Sequence, residues 1–475
     1  MRYATAFAFA AVLASGTPAA IRAVGIHGNG SVSAEPIIYW SLQAQRAVVP
    51  PGPAGIFGPE NYGNKFPGEA AVYMGIVHAA IYDAVVAIEG GYEGYAISTA
   101  APHGTSSEAA IATAVHHTLV GSPAIGLRGL QPALGLSPEQ QARLDATYAD
   151  YMNAIPEGAA KSDGIRLGEQ VAVAISMLRQ NDGRDANPTL ADLNPPAAAP
   201  GVWEQNFGSP LPPVLGLRLP GITPLALVSA SQFRPDGPNP LTSTGYAEDF
   251  NQVKDLGRDQ STTRTPEQTS QALFWTDHDL RQWNEGMLRL AAARGLDLMD
   301  TARMLAMAHV SGADAMIACF DAKFSYWFWR PYQAIPRADS DGNPATIADV
   351  DWRPLRTTPN FPEYPSAHAC HSGAVATALR EFFGTDHVTF WLDSRVTGTV
   401  RVYDTFHDVV KDVNEARVLA GFHFRNSDQE GATLGRNVAR FVAANFFRPL
   451  GWWHASRFAP GPFVGPIKQT HQPNQ

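Results

Sequence analysis

Twelve prolines fall between Pro188 and Pro240, a density that no helix or central strand tolerates. The chain is therefore expected to form two helical layers, about 35–182 and about 244–450, joined by a proline-rich connection over 183–243. On both sides of it, apolar residues recur at three- and four-residue spacing, as in Phe66–Ile88 (FPGEAAVYMGIVHAAIYDAVVAI). Two helix starts are explicit, Ser137-Pro138-Glu139-Gln140 and Thr265-Pro266-Glu267-Gln268. Each offers a capping hydroxyl, proline at the first helical position and glutamine at the third. Strand-like alternation is scarce, so the expected fold class is all-α, built of helical bundles.

Composition matters where it excludes function. With 45% hydrophobic and 17% charged residues among 475, the chain can offset its ordering entropy and is not disordered. A net charge of −9 argues against a nucleic-acid partner, which requires a basic footprint. Two cysteines, Cys319 and Cys370, cannot make a disulfide framework or an all-cysteine metal cluster. Met1-Arg2, the apolar run Tyr3–Gly16 and then Thr17-Pro18-Ala19-Ala20 read as a secretory signal peptide over 1–23. Export to an extracellular or periplasmic location follows, with a buried N-terminal helix as the competing reading. No other uninterrupted apolar stretch is expected to span a bilayer. Residues 451–475 read as a C-terminal tail, and no pattern sets an oligomeric state.

Three segments concentrate cations and histidines in apolar surroundings. In Lys323-Phe-Ser-Tyr-Trp-Phe-Trp-Arg330-Pro331, the two cations are seven residues apart. On a continuous helix closed by Pro331 they would project from one face. The aromatic residues between them imply burial, and buried cations need an anion. In Phe361-Pro-Glu-Tyr364-Pro365-Ser366-Ala367-His368-Ala-Cys370-His371, Ser366 is placed to cap a helix whose apolar face runs from Ala374 to Phe383. Its free N–H groups make an anion site at Ser366-Ala367-His368. In Arg417-Val-Leu-Ala-Gly421-Phe-His423-Phe-Arg425-Asn-Ser427-Asp428, Arg417 ends one helix. Ser427 and Glu430 offer a capping box for the next, which leaves His423 on the connection.

Taken singly, each segment has a bland reading: a surface cation pair, a capping serine, a structural histidine. Together they supply two arginines, a lysine, a serine and helix N–H donors, which suit a tetrahedral oxyanion of two or three charges. Two histidines remain, one to attack or ligate the central atom and one to move protons.

The order K-x6-R-P, P-S-x-H, R-x5-H resembles the signature shared by vanadium-dependent haloperoxidases and the type-2 phosphatidic acid phosphatase superfamily. Further likeness to the soluble bacterial haloperoxidases lies in His78-Ala-Ala-Ile-Tyr-Asp83, Gln232-Phe-Arg-Pro235 and Gly421-Phe-His-Phe-Arg-Asn-Ser427. The resemblance implies two four-helix bundles around one vanadate site, which phosphate could also occupy. It implies that Lys323, Arg330, Ser366, Ala367 and Arg417 bind the oxyanion, that His423 ligates vanadium, and that His368 is the acid–base residue. Phe361 would line the halide pocket. The implied reaction oxidises halide with hydrogen peroxide to a hypohalous-acid equivalent that halogenates an organic acceptor. The alternative is a secreted acid phosphatase in which His423 forms a phosphohistidine.

The pattern departs from the family at two places: Ala367 stands where glycine is usual, and Asp428 lies one residue beyond the usual H-x3-D spacing. His371 is either a neighbour of the site or polar filler. His116, His117, His278 and His407 lack ligand spacing, so no further metal is expected. Export would permit a Cys319–Cys370 disulfide, though two separate buried thiols are the expectation.

Overall fold

Both expected capping boxes form. The Ser137 and Thr265 side chains each accept from the N–H three residues on, and the glutamine there reaches back to the cap. The computed structural model describes residues 32–52, 62–206 and 213–451. The signal-peptide assignment and nearly all of the tail lie outside these.

The N-terminal layer comprises α1 (Glu35–Val48), α2 (Pro67–Glu89), α3 (Ser107–Leu119), α4 (Pro138–Asn153) and α5 (Ala159–Leu178). Then come α6 (Thr244–Leu256), α7 (Pro266–Phe274), α8 (Asp279–Arg294), α9 (Leu298–Tyr326) and the short α10 (Pro331–Ala334). The chain continues through α11 (Ala367–Phe383), a hairpin of β1 (His387–Ser394) and β2 (Thr399–Thr405), α12 (Phe406–Leu419) and α13 (Arg425–Asn445). The fold is mostly helical, as expected. The antiparallel hairpin was not anticipated from the alternation, though its β-branched and aromatic residues suit strands.

The 29-residue α9 is the axis of the molecule. It packs against α2 on the N-terminal side and against α11 and α13 on the other, and one continuous apolar core runs through both layers. By length and overall apolar composition α2 is long enough to cross a membrane, though Glu69, His78 and Asp83 interrupt its apolar run. Nearly all of it is buried against its neighbours, the position of a core helix. Between α5 and α6 the described residues hold only two three-residue 3₁₀ turns, Ala191–Leu193 and Leu219–Gly221. That connection is fastened to α9, because the buried Asp314 carboxylate accepts the N–H groups of Leu225, Ala226 and Leu227 at 2.6–2.8 Å.

The C-terminal helices approach closely through small residues. A Cβ added at Gly435 of α13 would stand 2.1 Å from the Cys370 carbonyl oxygen of α11. Glycine there sets the distance between the helices that carry the second and third chemical segments.

Candidate active site

Lys323 lies in the last turn of α9, and the helix stops at Tyr326, four residues before Arg330, where Trp327 turns left-handed at φ 52°. The two cations therefore do not share a helical face, contrary to the sequence expectation. Arg330 has extended backbone ahead of α10, since Pro331 disfavours helical geometry in the residue before it. Both are nevertheless fully buried and meet at the Phe361–Pro365 loop.

Lys323 Nζ donates to the carbonyls of Pro362 and Glu363 at 2.9 Å and of Pro365 at 2.5 Å. All three ammonium protons are thus engaged in shaping the loop. Burial lowers this lysine to about 8. Arg330 Nε donates to the Phe361 carbonyl and Nη1 to the Phe422 carbonyl, each at 3.0 Å. The Phe361 ring lies 5.0 Å from Lys323 Nζ and 4.8 Å from the Arg330 guanidinium, covering both cations.

Ser366 occupies the N-cap position of α11, but its hydroxyl makes no capping bond. It faces the buried carboxyl of Asp428 without a hydrogen bond of regular geometry. Ala367 and His368 form the first turn. His368 Nε2 is buried and unpartnered, and burial, followed by the Arg417 charge, depresses this histidine to about 3. It is neutral near pH 7 and able to accept a proton.

Arg417, on the last turn of α12, donates through Nη1 to the Trp275 carbonyl at 2.7 Å, leaving Nε unpartnered. Gly421 at φ 77° then turns the chain, with its Cα packed on the Gly257 backbone, and delivers His423 to the site. The third cap expectation fails. The N-cap of α13 is Phe424, and Ser427 lies inside the helix with its hydroxyl donating to Glu363 Oε2 at 2.5 Å.

Glu363, which sequence reasoning passed over, is the organising carboxylate. It is fully buried and accepts from His423 Nδ1 and the Phe424 N–H, each at 2.9 Å, as well as from Ser427. Burial raises it to about 7, against the opposing pull of Arg330, the Ser427 hydroxyl and Lys323. On the far side of the ring, Arg330 Nη1 lies 3.0 Å from His423 Nε2 and can only donate to it. The two contacts together assign one tautomer: proton on Nδ1, lone pair on Nε2 facing the cations. Asp428 faces Ser366 and does not bond His423. Its buried carboxyl oxygens lack partners and burial pushes its pKa far up, so Glu363 is the carboxylate that serves His423.

His371 is a neighbour of the site rather than surface filler. Its Nδ1 lies 3.1 Å from Asp279 Oδ2. Burial would raise that carboxyl, but His368 and His371 outweigh it and hold the group well below its usual range. His278 lies beside it and bonds the Lys65 carbonyl, while His116 pairs with Asp145 in the N-terminal layer. His407 lies near the start of α12 with no ligand set around it; among the described residues no cluster of three or more metal-ligating side chains occurs.

Arg330 Nη2, Arg417 Nε, Ser366 Oγ and His368 Nε2 thus lack partners where the three segments meet, as do the two oxygens of Asp428. Leaving such groups unpaired costs about 1–3 kcal/mol each. Burial first, and then the charges of Arg330, Lys323 and Arg417, hold the pKa of His423 far below normal. A tetrahedral oxyanion at the N-terminus of α11 would satisfy the orphaned donors and neutralise the cations. The residues present fit vanadate or phosphate on this ground.

Comparison with known proteins gives the same place. Residues 303–450 match the family described as the VCPO second helical-bundle domain. The vanadium chloroperoxidase of Curvularia inaequalis is 31% identical over 159 residues, which are 28% of this chain and 25% of that protein. The match thus spans about a quarter of the curated relative. A solved bacterial vanadium-dependent iodoperoxidase superposes with a TM-score of 0.69 at 23% identity, covering 90% of this chain and 99% of that one. A holo-type bacterial vanadium-dependent chloroperoxidase gives 0.63 at 16% identity, covering 88% and 98%. At these identities the two structures establish the fold.

Proposed function

We propose, from the premise that this chain is a member of the vanadium-dependent haloperoxidase family, that it binds vanadate and oxidises halide with hydrogen peroxide. The product is a hypohalous-acid equivalent passed to an organic acceptor, and the reaction takes place after export. The observation that carries this reading is the assigned His423 tautomer. Glu363 holds the Nδ1 proton, so the Nε2 lone pair faces Arg330 on the side where the unpartnered donors gather.

Vanadate, when bound, supplies a Lewis-acidic centre that takes up peroxide and makes its oxygen susceptible to halide. The protein's part is to hold and position. His423 Nε2 would be the ligand, and Arg330 Nη1 now occupies the lone pair that the ligand bond would claim. Arg330 Nη2, Arg417 Nε, Ser366 Oγ and the Ala367 N–H would take the oxyanion's oxygens. Lys323 contributes its charge while fixing the loop that presents Glu363. Neutral His368 would receive a proton from incoming peroxide, next to the Asp279–His371 pair. Phe361 would shield the halide from water while covering the two cations.

The test uses one phosphate-free preparation and two assays. Adding orthovanadate should create peroxide-dependent bromide oxidation and suppress any hydrolysis of an aryl phosphate. If vanadate only inhibits hydrolysis and no halide is oxidised, the acid-phosphatase reading replaces this one.

A further inference from the structure

Arg417 is held at two points. Its Nη1 donates to the Trp275 carbonyl at 2.7 Å and its guanidinium lies 4.7 Å from the Phe422 ring, while Nε stays buried without a partner. Trp275 is the C-cap of α7, where carbonyls lack an intrahelical donor and carry the negative end of the helix dipole. A guanidinium suits that end of a helix. The hold on Arg417 is only as firm as the placing of Trp275.

Trp275 is in turn fixed by α12. Its indole is fully buried, and Nε1 donates to Asp412 Oδ2 at 2.7 Å. The Tyr403 hydroxyl, from β2, donates to the same oxygen at 2.7 Å, and Arg401 Nη1 donates to Oδ1 at 3.4 Å. Gln271, one turn before Trp275, donates to the Asp412 carbonyl at 3.1 Å. Arg264, just ahead of the α7 cap, donates through Nη1 to the Leu419 carbonyl at the end of α12, at 3.2 Å. These bonds fasten α7 along α12. Asp412 and Arg417 belong to that one helix but stand five residues apart, a rotation of about 140° around its axis. They do not share a face. Trp275 spans the gap, its ring on one side chain and its carbonyl on the other.

We propose that Asp412 is a positioning residue for the oxyanion site, acting through Trp275 to set the angle at which Arg417 presents Nε. Without the carboxylate the indole N–H loses its acceptor, the Trp275 carbonyl shifts, and the guanidinium is no longer aimed. Anion affinity then falls by roughly 3- to 10-fold, the scale of one neutral hydrogen bond. The direction is diagnostic. Removing a carboxylate would by charge alone favour an anion, so weaker binding reports lost position.

The proposal rests on the functional reading above, and its test reads anion affinity rather than halide oxidation. Inorganic phosphate and orthovanadate are titrated separately into phosphate-free, full-length protein, and thermal unfolding of each variant is recorded. Asp412→Ala and Trp275→Phe should each weaken both anions by roughly 3- to 10-fold. Trp275→Phe removes the same indole bond and carries the test where Asp412→Ala does not fold. Tyr403→Phe takes a different donor from the same oxygen, so it should lower the melting temperature but leave anion affinity unchanged. In an Arg417→Ala background, Asp412→Ala should cost no further affinity, because the residue it positions is gone. Unchanged affinity in both Asp412→Ala and Trp275→Phe overturns the proposal, as does an equal loss in Tyr403→Phe or an additive loss in the Arg417→Ala background. Failure of wild type to bind either anion contradicts the functional reading and the proposal with it, whereas binding by wild type with unaltered variants contradicts the positioning role alone.

Discussion

His423 Nδ1 lies 2.9 Å from Glu363 Oε1, so a carboxylate sixty residues upstream sets which ring nitrogen faces the site. The Ser427 hydroxyl donates to the same carboxylate and stands at the position where the family spacing expects an acid. The carboxylate that meets His423 comes from the loop that Lys323 shapes, and the Ser427 hydroxyl supports it.

Replacing Glu363 should therefore disturb His423 without touching the oxyanion. In Glu363→Gln an amide nitrogen can meet Nδ1 and reverse the tautomer. Vanadate affinity should fall about 10- to 100-fold, the value of a charge-assisted hydrogen bond. Ring nitrogen shifts of His423 by NMR should report loss of the Nδ1–H form. An unchanged tautomer would show that Glu363 only fills space.

The same carboxyl gives a stability slope. Its pKa is about 7 in the fold against 4.5 in the unfolded chain, so between these values the native state holds the extra proton. Glu363 thus contributes a loss of stability as pH rises from about 4.5 through about 7. The difference in melting temperature between wild type and Glu363→Gln should shift against the wild type across that window. A flat difference would contradict the burial argument.

Lys323 makes a different prediction from that of a simple anion binder. Lys323→Met removes the donor shared by three buried carbonyls, so destabilisation of roughly 2–5 kcal/mol is expected in urea unfolding. Arg330→Ala and Arg417→Ala should each weaken vanadate and phosphate alike, by about 10- to 100-fold. Stability unaffected by Lys323→Met would mean that the loop is held by other contacts.

The three cationic and histidine segments were legible because each motif combines residue types that burial makes costly unless an anion joins them. Helix starts at Ser137 and Thr265 were legible because the capping chemistry is local. What escaped was tertiary. Nothing in Pro362-Glu363-Tyr364-Pro365 announces that its carboxylate reaches His423, and nothing local says that Asp279, at the start of α8, meets His371. The end of α9 was misplaced because Trp327 adopts a left-handed cap that aromatic residues seldom take. Ser427 and Glu430 offered a plausible capping box, but the buried Glu363 competes more strongly for the serine hydroxyl.

His368→Ala should separate binding from turnover. The side chain contributes an unpartnered nitrogen but no charge near pH 7, so vanadate should bind with little loss. Bromide oxidation should fall about 10²–10⁴-fold. Undiminished turnover at the optimum pH would transfer the acid–base role to His371, which already has Asp279 behind it.

The central claim is that His423 Nε2 anchors vanadate among donors that alone give attraction without a bond. Wild type and His423→Ala, both loaded with orthovanadate in phosphate-free buffer and passed through a desalting column, should be assayed for vanadium by elemental analysis. The account predicts near-stoichiometric vanadium in wild type and essentially none in the variant, although the variant remains folded. Equal retention by the two proteins would contradict it.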